Sequence, residues 1–248
     1  MHMQTMSHIT IGESESMKVI SLYDFTGEAV KPWANAGYDC FCYDIQHTGH
    51  TEIIGDGSIS FLPADLHDPR VLDDIYNDHK GEVAFLCSFP VCTDMAVSGS
   101  RWFKIKREKC ERFQEIAASY AIMCSDLAEK LGCPYYVENP VSVLSTLWRK
   151  PDYTFHPFEY GQYIPESDAE HPTWSDYIAP MDAYSKLTCI WSGNGFIMPT
   201  KLPVDCQSFG ASTQHRKLGG KSMKTKNIRS ATPRGFAIAV FTHNHIEV

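Results

Sequence analysis

One recurring unit constrains this chain more than anything else in it: a short apolar run that stops on a polar, chemistry-bearing residue. Residues 17–23, with Val19, Ile20 and Leu22, lead to Asp24. Residues 38–45 close on Asp44, and residues 59–62 lead to Asp65. The run Val83-Ala84-Phe85-Leu86-Cys87 precedes Cys92, and Tyr135-Tyr136-Val137 precedes Glu138. Apolar runs this short, bounded by turn signals, fit strands buried on both faces. Segments of helical period separate several of them, and that alternation calls for an α/β fold: a mostly parallel sheet with helices on both faces. Ligands of such sheets bind beyond the carboxyl ends of the strands, where all five of these polar residues are expected.

The helical segments read as follows. Residues 27–37 carry Ala29, Val30, Trp33 and Ala36 on one face and stop at Gly37. Residues 69–77 make a short helix. Residues 109–131 place Phe113, Ile116, Ala117, Tyr120, Met123, Cys124, Leu127 and Leu131 at helical spacing, with Gly132 as the cap. Residues 232–243, with Phe236, Ala237, Ala239, Val240 and Phe241, read as a closing helix. Residues 48–60 are Gly-containing and read as a loop, with 59–62 a short strand or turn. Residues 149–203 turn to Pro, Tyr, Trp and Asp; within them 154–159 and 186–191 are expected to pair as antiparallel strands. No internal repeat or low-complexity tract occurs.

Length and charge bound the rest. A chain of 248 residues suits one domain with a small appendage. Its formal charge of −8 does not by itself suggest a polyanion partner, but the distribution does. Residues 214–234 hold Arg216, Lys217, Lys221, Lys224, Lys226, Arg229 and Arg234 and no acid, leaving 15 basic against 30 acidic residues elsewhere. A basic strip on an acidic body resembles a phosphate-contacting surface. No apolar run is long enough for a membrane span. Residues 1–16 are polar and read as a disordered leader. The nine cysteines are irregularly spaced with no Cys-x-x-Cys, which argues against a zinc site or redox dithiol and for a reducing cytoplasm. Cys40, Cys42, Cys87 and Cys189 read as small core residues. His243 and His245 read as an exposed tail and not a metal pair; Trp148, Trp174 and Trp191 read as packing.

The ordered motifs resemble those of the cytosine-C5 DNA methyltransferases, in particular the short phage-type members, over residues 17–240. The resemblance implies a Rossmann-like S-adenosylmethionine-dependent methyltransferase fold with a reduced target-recognition segment. In Asp24-Phe25-Thr26-Gly27 it implies a cofactor loop with Phe25 stacking on adenine. Asp44 matches the acid that holds the ribose hydroxyls, Asp65 the one that receives the adenine amino group, and Pro90 belongs to the cofactor-facing turn. Phe89-Pro90-Val91-Cys92-Thr93 resembles the nucleophile motif, and Val137-Glu138-Asn139-Pro140 the acid motif. By resemblance Cys92, its thiol pKa lowered by the site, adds to cytosine C6, Glu138 hydrogen-bonds the ring, and the activated C5 takes a one-carbon group. The target base is expected to be flipped out of the stack. Thr232-Pro233-Arg234-Gly235 resembles the element that completes the cofactor pocket.

Two departures stand out. Val91 separates Pro90 from Cys92, and Lys186 stands where the family uses an arginine against the base; lysine lacks the bidentate fork. DNA contact is expected from Arg101, Lys104, Lys186, Arg216, Lys221, Lys224, Lys226 and Arg229, with short sequence specificity. The implied organisation is a leader (1–16), a cofactor-binding and catalytic core (17–150), a strand and loop completion (151–203), a short basic DNA-contacting segment (204–231) and a closing helix (232–248). The expected setting is a monomer in the cytoplasm of a phage-infected bacterium. Alternatives are transfer of a carboxymethyl group from carboxy-S-adenosylmethionine, with Lys31, Arg101 or Lys186 pairing the extra carboxylate, and methylation of cytosine in RNA or a free nucleotide.

Overall fold

The structure, a computed structural model, describes residues 17–206, 218 and 222–246. The expected leader and the basic residues Arg216 and Lys221 lie outside the described residues. An eight-stranded sheet runs through the molecule in the order β3-β4-β2-β1-β5-β6-β8-β7. The strands are β1 (Lys18–Leu22), β2 (Asp39–Asp44), β3 (His50–Ile54), β4 (Gly57–Pro63), β5 (Val83–Ser88), β6 (Tyr135–Pro140), β7 (Tyr153–Phe155) and β8 (Thr188–Gly193). The five strands β4-β2-β1-β5-β6 are parallel. From β1 the chain winds outward to β2 and β4, then returns to β5 and winds the other way. The switch point, where a doubly wound sheet opens a crevice, therefore lies between β1 and β5.

Helices cover both faces, as the alternation predicts. On one face α1 (Lys31–Asn35) and the last helix, α7 (Arg234–Asn244), pack on Val19, Cys40, Cys42, Ile59, Phe85, Cys87 and Tyr136. Trp33 stacks on Phe85 at 4.9 Å and Phe236 on Phe155 at 4.0 Å. On the other face α2 (Pro69–His79) and α4 (Phe113–Leu131) cover Ile20, Leu22, Leu86, Tyr135, Val137 and Trp191. Neighbouring strand residues alternate between the two clusters, so both sheet faces exclude water. Each fully buried large side chain contributes about 1.5–3 kcal/mol. Cys40, Cys42, Cys87 and Cys189 are buried in these layers as expected. Trp148 stacks on the buried Trp191, and Trp174 packs in a satellite cluster with Ile178, Tyr184 and Ile228.

The structure differs from the sequence reading in four places. Residues 48–60 are not a loop: β3 and β4 form an antiparallel hairpin around Gly55-Asp56, paired from His50 with Phe61 to Ile54 with Gly57. Two of the glycines that suggested a loop, Gly55 and Gly57, are there for close approach. A Cβ on Gly57 would sit 2.3 Å from the Tyr38 carbonyl oxygen, so only glycine lets the hairpin lie against the end of α1. The first helix is shorter than 27–37, because turns occupy 28–30 and Pro32 sits in the first helical turn of α1. Ile116 of α4 points to solvent. Finally, helix begins well before residue 109: a 3₁₀ segment, Val97–Trp102, runs into α3 (Phe103–Lys109), and α4 starts only at Phe113. The pairing of β7 with β8 is as expected, with Tyr153 opposite Ile190 and Phe155 opposite Thr188. A short α5 (Leu144–Leu147) follows β6, and α6 (Met223–Ser230) precedes α7. Among the described residues no helix is long and apolar enough to cross a membrane.

Candidate active site

The carboxyl ends of β1, β2, β4, β5 and β6 carry the polar residues singled out above. After β1, Tyr23 turns the chain with a positive φ of 58°. Asp24 is buried and its carboxylate organises the next turn. Oδ1 accepts from the Thr26 and Gly27 amides at 3.0 and 2.8 Å and from the Thr26 hydroxyl, while Oδ2 accepts from Ser21 Oγ at 2.8 Å. Asp24 therefore shapes the loop, its oxygens being spent inside it. Burial pushes its carboxyl above the usual range and these hydrogen bonds pull it back. Gly27 has φ +68°, and a Cβ there would press on the Phe61 ring at 3.0 Å. Phe25 is 37% exposed at the loop tip, stacked on His47 at 5.7 Å, and His47 in turn meets the Asp24 carbonyl at 2.9 Å. One aromatic face is thus braced from behind and the loop edge is left open.

Asp44, at the end of β2, is buried, and its Oδ1 accepts from the Gln46 amide at 2.8 Å and from Gln46 Nε2 at 3.2 Å. Asp65, after β4, is exposed and accepts from the His67 amide at 3.1 Å. The two acids flank the same sheet edge as Phe25.

On the other side of the switch point stand Cys92 and Glu138. Cys92 opens a turn: its carbonyl accepts from the Met95 and Ala96 amides at 2.9 and 2.8 Å. The strand ends of β5 and β6 are clamped together by Asn139, which is 1% exposed and donates from Nδ2 to the Pro90 carbonyl at 3.0 Å. Glu138 Oε1 is buried and has no hydrogen-bond partner among the described residues. Lys186, two residues before β8, faces both groups electrostatically and donates from Nζ to the Arg229 carbonyl at 3.0 Å. Burial raises the Glu138 carboxyl and Lys186 opposes this. Burial also raises the Cys92 thiol, with the Glu138 charge adding to it and Lys186 opposing. The expectation of a lowered thiol pKa is therefore reversed: a buried thiol beside a carboxylate resists ionisation, and one ammonium does not outweigh both effects. Phe89, Glu138, Phe155, Lys186, Phe236 and residues 230–233 line a cleft of about 220 Å³, counting its open mouth.

The segment after the nucleophile is cationic and partly apolar on its surface. Arg101 lies over the Trp102 ring at 5.3 Å, and Arg101, Trp102, Lys104 and Ile105 are exposed. Lys106 ties the segment back to the Thr93 carbonyl and the Asp94 carboxylate. On α6, Lys224, Lys226 and Arg229 are exposed. Lys224 lies over Tyr177 at 5.3 Å, and the Arg229 guanidinium donates to the Leu218 carbonyl. Arg234, opening α7, donates to the Asp168 and Glu170 carbonyls at 2.9 Å, so it latches the 164–184 segment. Lys31 pairs with Glu28 at 2.6 Å. His243 and His245 bond helix carbonyls, and no metal-holding cluster is present among the described residues.

The structure thus brings Asp24, Phe25, Thr26, Gly27 and Asp44 to one half of the crevice, and Cys92, Glu138 and Lys186 to the other. Arg101 and Lys104 stand on the segment that follows Cys92. The sequence reading missed Asn139 as a clamp, Gln46 as the partner of Asp44, and Asn227, whose Nδ2 donates to Gln46 Oε1 at 3.2 Å. For Asn139 a signal existed, since a polar residue inside a buried strand must find a partner. For Gln46 and Asn227, 181 residues apart, there was none.

Fold and crevice define a doubly wound α/β protein with a thiol, a carboxyl group and an ammonium gathered at one strand-end edge. No family model matches the chain, and no curated protein matches it. Among solved structures, it is similar to a crystal structure provisionally described as a DNA modification methyltransferase encoded within a prophage (E. coli). The TM-score is 0.39 at 13% identity, covering 72% of this chain and 46% of that one, so this chain spans less than half of that protein's length.

Proposed function

We propose that this protein transfers a methyl group from S-adenosylmethionine to C5 of cytosine in DNA through a covalent Cys92 adduct. One observation carries the reading: Cys92 and Glu138 stand at adjacent parallel strand ends, β5 and β6, clamped by Asn139 and faced by Lys186. The other half of the crevice fits the donor. Phe25 offers an open, braced aromatic edge, and Asp44 and Asp65 end the next two strands. The buried Glu138 Oε1, without a hydrogen-bond partner among the described residues, fits a ring that brings its own hydrogen-bonding edge. When bound, the donor supplies an electrophilic methyl on a sulfonium.

The residues divide the work as follows. Thiolate and carboxylate disfavour each other's charge, so the empty site favours the neutral pair. An entering cytosine offers N3 as a base. Burial favours the protonated form of Glu138; once the Cys92 thiol has released its proton to solvent, the thiolate forms the bond to C6 while Glu138 gives its proton to N3, so negative charge passes onto the ring and then to Glu138. Lys186 steadies that negative charge throughout. C5, now enamine-like, takes the methyl. Loss of the C5 proton to solvent base and return of the N3 proton to Glu138 release Cys92 by elimination. Arg101, Lys104 and the exposed cations of α6 would hold phosphates on either side.

Methyl is the group we propose over carboxymethyl. Lys31 is paired with Glu28, and Lys186 already answers Glu138, so a second carboxylate would meet like charge there. The reading is tested by nucleoside mass spectrometry of cytosine-containing DNA incubated with the protein and S-adenosylmethionine, beside Cys92→Ala. A gain of one methyl on deoxycytidine, absent in the variant, supports it. Modification that survives Cys92→Ala, or none in either sample, overturns it.

A further inference from the structure

Helix α6 touches both halves of the crevice. From its inner side Asn227 Nδ2 donates to Gln46 Oε1 at 3.2 Å, and Gln46 holds Asp44 Oδ1 with both its backbone amide and its Nε2. Two residues further on, the Arg229 carbonyl accepts from Lys186 Nζ at 3.0 Å, and Lys186 faces Glu138 and Cys92. That carbonyl is among the last of the helix, which have no partner within it, so a lysine there is a natural cap. Ile228, between these two residues, is fully buried and fixes the helix on the satellite cluster with Ile178, Tyr184 and Ala231. Lys226, on the side away from Ile228, is exposed, and so is Lys224, one turn before Ile228 and over the Tyr177 ring. One short rod therefore carries two exposed cations, one link to the acid at the donor end and one to the lysine at the reacting end.

We infer that α6 couples polynucleotide binding to donor binding, with Asn227 and Gln46 as positioning residues that act through Asp44. The inference rests on the methyltransferase reading above. Phosphates drawn to Lys224 and Lys226 seat the rod. Seating it sets Asn227 against Gln46, and Gln46 then presents Asp44 in one orientation. A donor binding to a pre-set Asp44 no longer has to order it, so each ligand tightens the other by the same factor, as linkage requires. The reciprocal path runs through Lys186 at the C-terminal end of the rod.

The experiment measures binding of the demethylated product S-adenosylhomocysteine by titration calorimetry, with and without a cytosine-containing DNA duplex. Three proteins are compared: wild type, Asn227→Ala and Lys226→Ala. The wild type is expected to bind the product about five-fold or more tightly when DNA is present, the lower end of typical coupling. In Asn227→Ala the ratio falls toward one while each ligand still binds alone. In Lys226→Ala, DNA binds less tightly and, with Lys224 still able to seat the rod, the ratio falls less than in Asn227→Ala. Asn227→Asp covers the case in which the alanine variant folds poorly. It keeps the shape but cannot donate, and Gln46 could serve it only by turning a carbonyl onto Asp44. A wild-type ratio of one with both ligands bound, or an unchanged ratio in the Asn227 variants, overturns the coupling alone. A wild-type protein that binds neither probe overturns the methyltransferase reading and the coupling with it.

Discussion

Replacing Asn139 by alanine should separate positioning from stability at this site. Asn139 is almost completely buried; its Nδ2 holds the Pro90 carbonyl at 3.0 Å, and its Oδ1 has no partner among the described residues. Truncation removes one hydrogen bond, worth about 1 kcal/mol net, and strands the Pro90 carbonyl at a further 1–3 kcal/mol. Removing the partnerless Oδ1 returns part of this, so the net loss is about 1–2 kcal/mol. At about 2–4 °C per kcal/mol for a chain of this size, the melting temperature should fall by roughly 2–8 °C. The rate should fall much further. Pro90 is two residues from Cys92, and a misplacement on the order of 1 Å at a reacting group costs about 10²-fold. Thermal unfolding gives the first number, and single-turnover formation of the protein–DNA adduct, measured well below the melting temperature, gives the second. A variant that loses the stability but keeps the wild-type rate would refute the view that the clamp aims the thiol. A rate that falls only as far as the unfolded fraction rises would refute it equally.

Two other consequences concern charge. Lys186 opposes the upward shifts of both Cys92 and Glu138, so Lys186→Met should raise both further. The alkaline rise of kcat/KM, which reports thiolate formation, should then move to higher pH with a loss of about 10²-fold at neutral pH, and Lys186→Arg should restore most of it; an unmoved or acid-shifted rise would exclude the role. Asp182 is buried at the start of α7, accepts from the Gly235 amide at 2.9 Å, and is pushed by desolvation to about 6 from 3.8. A carboxyl raised on folding stabilises most below its unfolded pKa, and that stability is lost as pH rises through about 6. The loss amounts to about 3 kcal/mol for a shift of roughly two pH units. Asp182→Asn keeps an acceptor for Gly235 without the buried charge, so it should be more stable than wild type at pH 7 and show a flatter stability profile between pH 4 and 6 in denaturant titrations. Equal slopes in the two proteins would refute the assignment.

Much of the fold follows from local pattern. Apolar runs at β1, β2, β5 and β6, the long period of α4 with its Gly132 stop, and the apolar face of α7 are all properties of a few consecutive residues, and each appears close to where the sequence puts it. The ordering of Asp24, Asp44, Asp65, Cys92 and Glu138 at strand ends is local in the same sense. A parallel sheet turns this one-dimensional order into a shared edge, because every such strand ends on the same side. The β3–β4 hairpin escaped because glycine reads as a breaker along the chain, whereas here Gly57 serves a contact with Tyr38 that exists only once α1 is in place. The thiol's raised pKa escaped for a related reason. Sequence supplies the groups, but burial and the positions of Glu138 and Lys186 set the sign of the shift.

By itself, then, the sequence determined the parallel strands β1, β2, β5 and β6, the long helix α4 and the closing helix α7, and which reactive side chains follow those strands, since all of these depend on neighbours a few residues apart. Tertiary structure alone decided the electrostatic state of Cys92, the clamp of Asn139 on Pro90, and the bonds by which α6 reaches Gln46 and Lys186. These depend on distances between groups 43 to 181 residues apart, which no local pattern records.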